Sequence, residues 1–223
     1  MQFLFYLEAG AKEIELSGDE YRYLFKVRRF KVGSKVAIRN LKDNLLYIYL
    51  ITLVNRNRAY LRLVEAKEFI VAPKRYLHLG WCIIEPKVIE KTLPALNEIG
   101  VSKITFIECQ RSQRNFKIDF KRLERILINS SQQCGRSQML ELDLSGSLRE
   151  FLDKNPDSFL LDFSSKKLEC NKEEIKTLII GCEGGFSKEE RALFDDKTIF
   201  GFDTQTVLRS ENATISASAR LLL

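Results

Sequence analysis

The sequence predicts an α/β protein with a mainly parallel sheet flanked by helices, preceded by a small β-rich unit. Three observations point there. The first seventy residues are crowded with β-branched and aromatic strand candidates. Beyond Lys74, strand-like and helix-like segments alternate in a βαβα rhythm, which calls for parallel pairing. Between the two, the pattern changes at Val71-Ala72-Pro73-Lys74, which reads as a linker and divides the chain into domains 1–72 and 73–223.

In the first domain, Asp19 to Phe30 carries helical spacing at Tyr23, Val27 and Phe30. Val36 to Asn40 is a short strand candidate, and Leu45 to Val54 is a longer one. Asp43-Asn44 between them suits a hairpin turn. Arg58 to Val64 alternates polar and apolar side chains, as a half-buried strand does. Several strands with one helix suggest a small barrel. In the second domain, Leu77 to Ile84 reads as a buried strand and Val88 to Ile99 as a helix ended by Gly100. Val101 to Glu108 is strand-like, and Asp119 caps a helix through Phe120, Leu123, Leu127 and Ser131 that stops at Gly135. Phe159 to Phe163, Thr177 to Ile180 and Thr198 to Phe202 complete the strands.

Composition narrows the function classes. An apolar share of 45% over 223 residues is enough for a sizeable core and argues against disorder. No apolar run is long enough to span a membrane, and Met1 to Tyr6 lacks the features of a signal peptide, so a cytoplasmic protein is expected. The cysteines at 82, 109, 134, 170 and 182 form no C-x-x-C pair and are expected as reduced thiols. The single histidine, His78, lies in an apolar run and is expected as a buried, hydrogen-bonded strand residue. Without paired cysteines or a second histidine, no metal site is expected.

Charge is distributed unevenly. Residues 1–70 hold 13 Lys/Arg against 8 acids, a net +5 of the chain's +6. Such a confined excess points to an anion-facing module, with nucleic acid as the usual partner.

Two stretches carry the chemistry. In Ile180-Gly181-Cys182-Glu183-Gly184-Gly185-Phe186, a buried strand enters a glycine turn, and Ser187-x-x-Glu190 then forms a capping box. The carboxyl end of such a strand is where α/β proteins hold ligands. Neither a Walker A loop nor G-x-G-x-x-G is satisfied. The second stretch is Val207-Leu208-Arg209-Ser210-Glu211-Asn212-Ala213, with Ser210 a candidate N-cap for an Ala/Ser-rich terminal helix. Small residues there suit a dimer interface or a helix tucked beneath a ligand loop. By themselves Arg209 and Glu211 also fit a surface ion pair.

Taken in this order, the two stretches resemble the RsmE-type 16S rRNA uridine-N3 methyltransferases of the SPOUT, or trefoil-knot, superfamily. Ile180 to Glu190 matches I-G-P-E-G-G-F/L-S-x-x-E, and Leu208 to Ala213 matches L-R-T-E-T-A. Glu98-Ile99-Gly100-Val101 and Gln132-Gln133-Cys134-Gly135-Arg136 match two further family segments in order, and Tyr23 to Arg29 partly keeps the family's H-x-x-x-V-L-R. The chain departs at Cys182 (proline in the family), Asn212 (threonine), Gln132 (glutamate), Thr204 (glycine) and Gln2 (arginine).

The resemblance implies a PUA/OB-like barrel that binds RNA, followed by a SPOUT α/β knot that binds S-adenosylmethionine and dimerises. It implies methyl transfer to N3 of one uridine of 16S rRNA in the small subunit, uracil 1498 in the family's usual target. The cofactor-binding residues it implies are Asp162, Phe163, Gly181, Glu183, Gly184, Gly185, Val207, Leu208, Ser210 and Ala213. Arg209 would act as the catalytic guanidinium, with Glu211 orienting it or accepting the proton. Lys26, Arg28, Arg29, Arg39 and Arg136 would contact RNA, with Arg111 and Arg114 extending the basic track. Two alternatives stand beside this reading: a SPOUT enzyme for another RNA or base, and a non-catalytic ribosome-assembly protein.

Overall fold

A computed structural model describes residues 2–113, 116–168 and 172–223, so Arg114 and Cys170 lie outside the described residues. Two compact units are present. One comprises Met1–Ala72 with Ile128–Met139, and the other Pro73–Leu127 with Leu140–Leu223.

The first unit is a five-stranded sheet of β1 (Leu4–Phe5), β2 (Glu13–Leu16), β3 (Lys35–Arg39), β4 (Leu45–Val54) and β5 (Ala59–Glu68), ordered β1-β3-β4-β5-β2. β4 and β5 pair antiparallel along their length, with register shifts at Ile48/Tyr49 and Ile51/Leu53. Such irregularities bend a sheet, and here the concave face closes over Leu16, Leu24, Tyr49, Ile51 and Ala59. The hairpin turn forms as expected, with Asp43 accepting the Leu45 amide at 2.8 Å. The expected helix over 19–30 forms over 18–27 but changes its winding: α1 (Gly18–Tyr21) runs on as a π-type segment over Arg22–Val27. The wider winding turns Leu24 into the core and leaves Val27 exposed. Residues 128–139 belong to this unit because Gln132 accepts the amides of Phe3 (3.2 Å, on its main chain) and Phe5 (2.7 Å, on Oε1). The Ser137 hydroxyl and the Val71 backbone bond as well.

The second unit is a six-stranded, wholly parallel sheet ordered β11-β9-β10-β6-β7-β8. Its strands are β6 (His78–Cys82), β7 (Lys103–Ile107), β8 (Glu141–Ser145), β9 (Phe159–Leu161), β10 (Thr177–Ile180) and β11 (Ile199–Phe200). Leu79, Trp81, Ile104, Phe106, Leu160, Leu178 and Ile179 are fully buried, as parallel strands covered on both faces require. Helix α2 (Pro86–Ile99) starts on a proline and ends at Gly100, whose φ of 111° only glycine adopts readily. Helix α3 (Phe120–Cys134), which belongs to this unit as far as Leu127 and to the first from Ile128 on, is capped by Asp119, which accepts the Arg122 amide at 3.1 Å. Strand β8 and helix α4 (Leu148–Lys154) were not among the expected elements. Helices α5 (Lys188–Arg191) and α6 (Ser210–Leu222) complete the unit.

His78 behaves as expected. It is buried, its Nε2 lies 2.8 Å from the Thr105 hydroxyl, and burial presses its pKa down to about 4. The expectation of reduced thiols is corrected at one pair. Cys82 ends β6 and Cys109 lies just past β7; the two strands run side by side, their Cα atoms 5.7 Å apart, and the sulfurs are bonded. Cys134 and Cys182 take part in no disulfide among the described residues.

A ligand cavity walled by two turns and a helix start

β9, β10 and β11 end level with one another, since Leu161 pairs with both Ile180 and Phe200. The segments that leave them therefore emerge together, and they enclose a cavity of about 560 Å³. That is within the range of small-molecule sites. Its walls come from 161–167, 180–186 and 201–213, and all ten expected cofactor-binding residues line it, as does Arg209.

The glycine turn is narrow. Gly185 takes φ 65° and its amide donates to the Cys182 carbonyl at 2.9 Å. A Cβ on Gly181 would sit 3.0 Å from the Phe186 ring and 3.3 Å from the Gly185 Cα. A Cβ on Gly184 would press on the Arg111 stem at 3.2 Å. The exchange of proline for Cys182 leaves a buried thiol, pushed up in pKa by burial, in an otherwise intact turn. Gly201 is tighter still: a Cβ there would meet the backbone of Ser164 at 2.8 Å and of Asp162 at 3.0 Å.

Polar latches hold the walls. The capping box forms, Ser187 N donating to Glu190 Oε2 at 2.9 Å and Glu190 N donating to Ser187 Oγ at 3.1 Å. The other Glu190 oxygen accepts the Gln110 amide at 2.7 Å, so this buried carboxylate is spent on structure. Ser210 is not the N-cap expected; Arg209 takes that position, and Ser210 is the first helical residue. Its hydroxyl is drawn inward, accepting from Trp81 Nε1 at 2.9 Å and donating to the Gly181 carbonyl at 2.5 Å. One buried hydroxyl thus ties a core strand, the glycine turn and the start of α6. Of the small residues of α6, Ser210, Ala217 and Ser218 are buried, whereas Ala213, Ser216 and Ala219 are half-buried.

Arg209 is exposed at the cavity wall in extended conformation, φ −64° and ψ 157°. Glu211 is half-buried in the first turn of α6 and does not line the cavity. Among the described residues no ion pair joins Arg209 and Glu211.

The expected RNA contacts divide. Lys26, Arg28 and Arg29 stand exposed at the end of the π-type turn. Arg28 donates to Gln2 Oε1 at 2.5 Å and lies over the Tyr23 ring, so Gln2 supports a basic side chain instead of supplying one. Arg39 is a correction. It is 1% exposed, its guanidinium lies between Phe3 and Phe69, and it donates to the carbonyls of Phe69 (2.6 Å) and Leu45 (3.3 Å). Arg136 is a second correction, at 6% exposure with its pKa lowered by burial. Neither guanidinium is offered to a phosphate, because each is enclosed by its own chain. Arg111 is engaged too, donating to the Gly184 carbonyl at 2.7 Å.

Sequence reasoning missed Lys167, Arg191 and Trp81. Lys167 lines the cavity and pairs with Asp203 at 3.0 Å. Arg191 pairs with Asp162 and donates to the Phe163 carbonyl at 3.4 Å. Their partners lie far away in sequence, and no local pattern signals them. Among the described residues, no group of three His, Cys, Asp or Glu side chains is placed to hold a metal ion.

Comparison with known proteins gives a consistent result. The RNA methyltransferase domain family matches residues 72–222, and the RNA methyltransferase PUA domain family matches residues 16–64. The chain is 39% identical over 218 residues to the ribosomal RNA small subunit methyltransferase E of Helicobacter pylori, covering 96% of each. Lpg2936 of Legionella pneumophila, described as a methyltransferase and solved with bound cofactor SAM, superposes with a TM-score of 0.81. It is 26% identical, with 99% of this chain and 95% of that one covered. A ribosomal RNA small subunit methyltransferase E from Neisseria gonorrhoeae, bound to S-adenosyl methionine, gives a TM-score of 0.82 at 19% identity. There 98% of this chain and 95% of that one are covered, a likeness of fold.

Proposed function

Because the chain belongs to the ribosomal RNA small subunit methyltransferase E family, we propose that it moves a methyl group from S-adenosylmethionine to N3 of one uridine of 16S rRNA. The observation that carries this reading is the cavity itself: two backbone-walled turns and a helix start meet there, with Arg209 exposed on the wall.

The residues present fit the donor. Gly181, Gly184 and Gly201 stand where any Cβ would crowd a wall, so backbone groups are left to approach a flat heterocycle closely. When bound, S-adenosylmethionine supplies an electrophilic methyl group on sulfonium. Backbone of 181–185 and 207–210 would hold it, with the Asp162-Phe163 segment opposite.

Uracil N3–H is a weak acid. Its proton must pass to water as the N3–CH3 bond forms and the S–CH3 bond breaks, leaving the thioether S-adenosylhomocysteine. A site that uses N3 as a nucleophile must therefore favour negative charge on O2 and O4. The Arg209 guanidinium is suited to this, being permanently charged, planar and rich in donors. Among the described residues it stands in no ion pair and need not break one to engage the base. Glu211, outside the cavity lining, is not assigned a role in the transfer. Holding uridine and donor in one cleft supplies the remaining advantage by removing the entropy of encounter.

In this reading Lys26, Arg28 and Arg29 engage phosphates, which position RNA without reading its sequence. The target uridine must leave its stack to be methylated. A homodimer and a cytoplasmic setting belong to the reading and rest on the resemblance. No helix among the described residues is long and apolar enough to cross a membrane. The test is mass spectrometry of 16S rRNA nucleosides from cells lacking the gene. N3-methyluridine should vanish and return with the wild-type gene; its persistence would refute the assignment.

A further inference from the structure

Resting on the methyl-donor reading above, we propose that Arg191 is a positioning residue that sets the shape of the donor cavity by fastening its Asp162-Phe163 wall to the helix that follows the glycine turn. Three observations carry it. The base of Arg191 is firm: its amide donates to the Ser187 carbonyl at 3.0 Å, and the capping box beneath it is anchored through Glu190 to the Gln110 amide. Its guanidinium reaches across to the other wall, pairing with Asp162 Oδ2 and donating to the Phe163 carbonyl. The wall it reaches is anchored at Asp162, whose amide donates to the Phe200 carbonyl at 2.9 Å, but Phe163 beyond it is 74% exposed and lines the cavity, so little packing fixes that position.

The arrangement also assigns the Asp162 side chain. Its carboxylate is engaged by Arg191, and this segment therefore offers a ligand its backbone and the Phe163 ring. Ser210 performs the matching task on the opposite side, where it joins the glycine turn to α6. With both fasteners in place the three walls keep one spacing. A guanidinium suits this position because its planar fork serves a carboxylate and a carbonyl together, which an ammonium does less well.

The test compares wild type with Arg191→Ala, Arg191→Lys, Asp162→Asn and the Arg191→Ala/Asp162→Asn double variant. Calorimetric titration of S-adenosylmethionine gives donor affinity; methylation of small-subunit RNA gives kcat and donor KM separately. Arg191→Ala should weaken donor binding about tenfold, with a smaller fall in kcat at saturating donor. Arg191→Lys should recover part of the affinity. The double variant should bind no worse than Arg191→Ala, since the two side chains act as one unit. Should Arg191→Ala unfold, Arg191→Lys and Asp162→Asn carry the same comparison. Wild-type donor affinity in these variants, full additivity in the double, or equal losses in kcat and affinity would overturn the proposal. A wild-type protein that binds no donor would instead remove the reading on which it rests.

Discussion

In the N-terminal unit the candidate surface is built from side chains: Lys26, Arg28 and Arg29 project from a π-type turn, with Arg28 steadied by Gln2 and Tyr23. In the C-terminal unit the cavity is built mainly from backbone, and three charged residues at or beside it are already occupied, Asp162 by Arg191, Lys167 by Asp203 and Glu190 by Gln110. A phosphate chain is long, repetitive and variable in path, and mobile cations meet it well. A small ligand has one shape, and fixed amides and carbonyls meet that better. Among the described cations lining the cavity Arg209 is the exception, in no ion pair on a backbone-lined wall, and it is there that chemistry is proposed.

Removing that exception should have the largest effect. Arg209→Ala should lower methyl transfer by about 10²- to 10³-fold, as loss of a charge-stabilising donor does, while calorimetry finds donor affinity little changed. Unchanged turnover would erase the distinction between Arg209 and the occupied charges around it.

Next is the contrast between arginines inside the first unit. Arg39→Ala removes a buried side chain that packs on Phe3 and bonds the carbonyls of Leu45 and Phe69, and should cost about 2–4 kcal/mol in urea unfolding. Arg28→Ala with Arg29→Ala should leave stability nearly unchanged and reduce the salt slope of RNA binding by about two. An unchanged slope in that pair would mean the exposed cations are not the RNA contacts.

The backbone wall is tested at Gly201, where a methyl group meets main chain on two sides. Gly201→Ala should lower stability by about 1–3 kcal/mol and weaken donor binding with it. Wild-type affinity would show that the wall tolerates displacement.

The smallest effect belongs to His78, in the strand beneath the cavity. Its pKa is about 4 in the fold, below its ordinary value, so the native state binds fewer protons than the unfolded chain. The stability this group permits is complete above about pH 6.5 and is lost as pH falls toward 4. At about pH 5.5 the loss is about 1 kcal/mol, and His78→Gln should remove that part of the acid limb. An identical acid limb in the variant would exclude His78 as its source.

Much of the fold was legible in the sequence where a local rule governs it. Gly100, Asp119 and the Ser187-Glu190 box each ended or opened a helix as their chemistry requires. The glycine turn and the Leu208-Arg209 segment located the cavity, because close approach leaves its mark in residue type. Long-range matters left no such mark. Arg39 and Arg136 look like any surface arginine until Phe3 and Phe69 close on the first and burial encloses the second. Cys82 and Cys109 meet because β6 and β7 are neighbours, and a separation of 27 residues does not announce that. The π-type turn escaped because Tyr23, Val27 and Phe30 satisfy a 3.6-residue spacing on paper, whereas Leu24 is the residue the core takes in.

The central claim is that a methyl donor lies among these walls beside Arg209, and a crystal of the protein soaked with S-adenosylmethionine tests it most directly. The donor should appear bent between 181–185, 207–210 and Phe163, its methyl group facing the space next to the Arg209 guanidinium. Density for the donor at any other place, or a cleft closed by the protein's own side chains, would contradict the account.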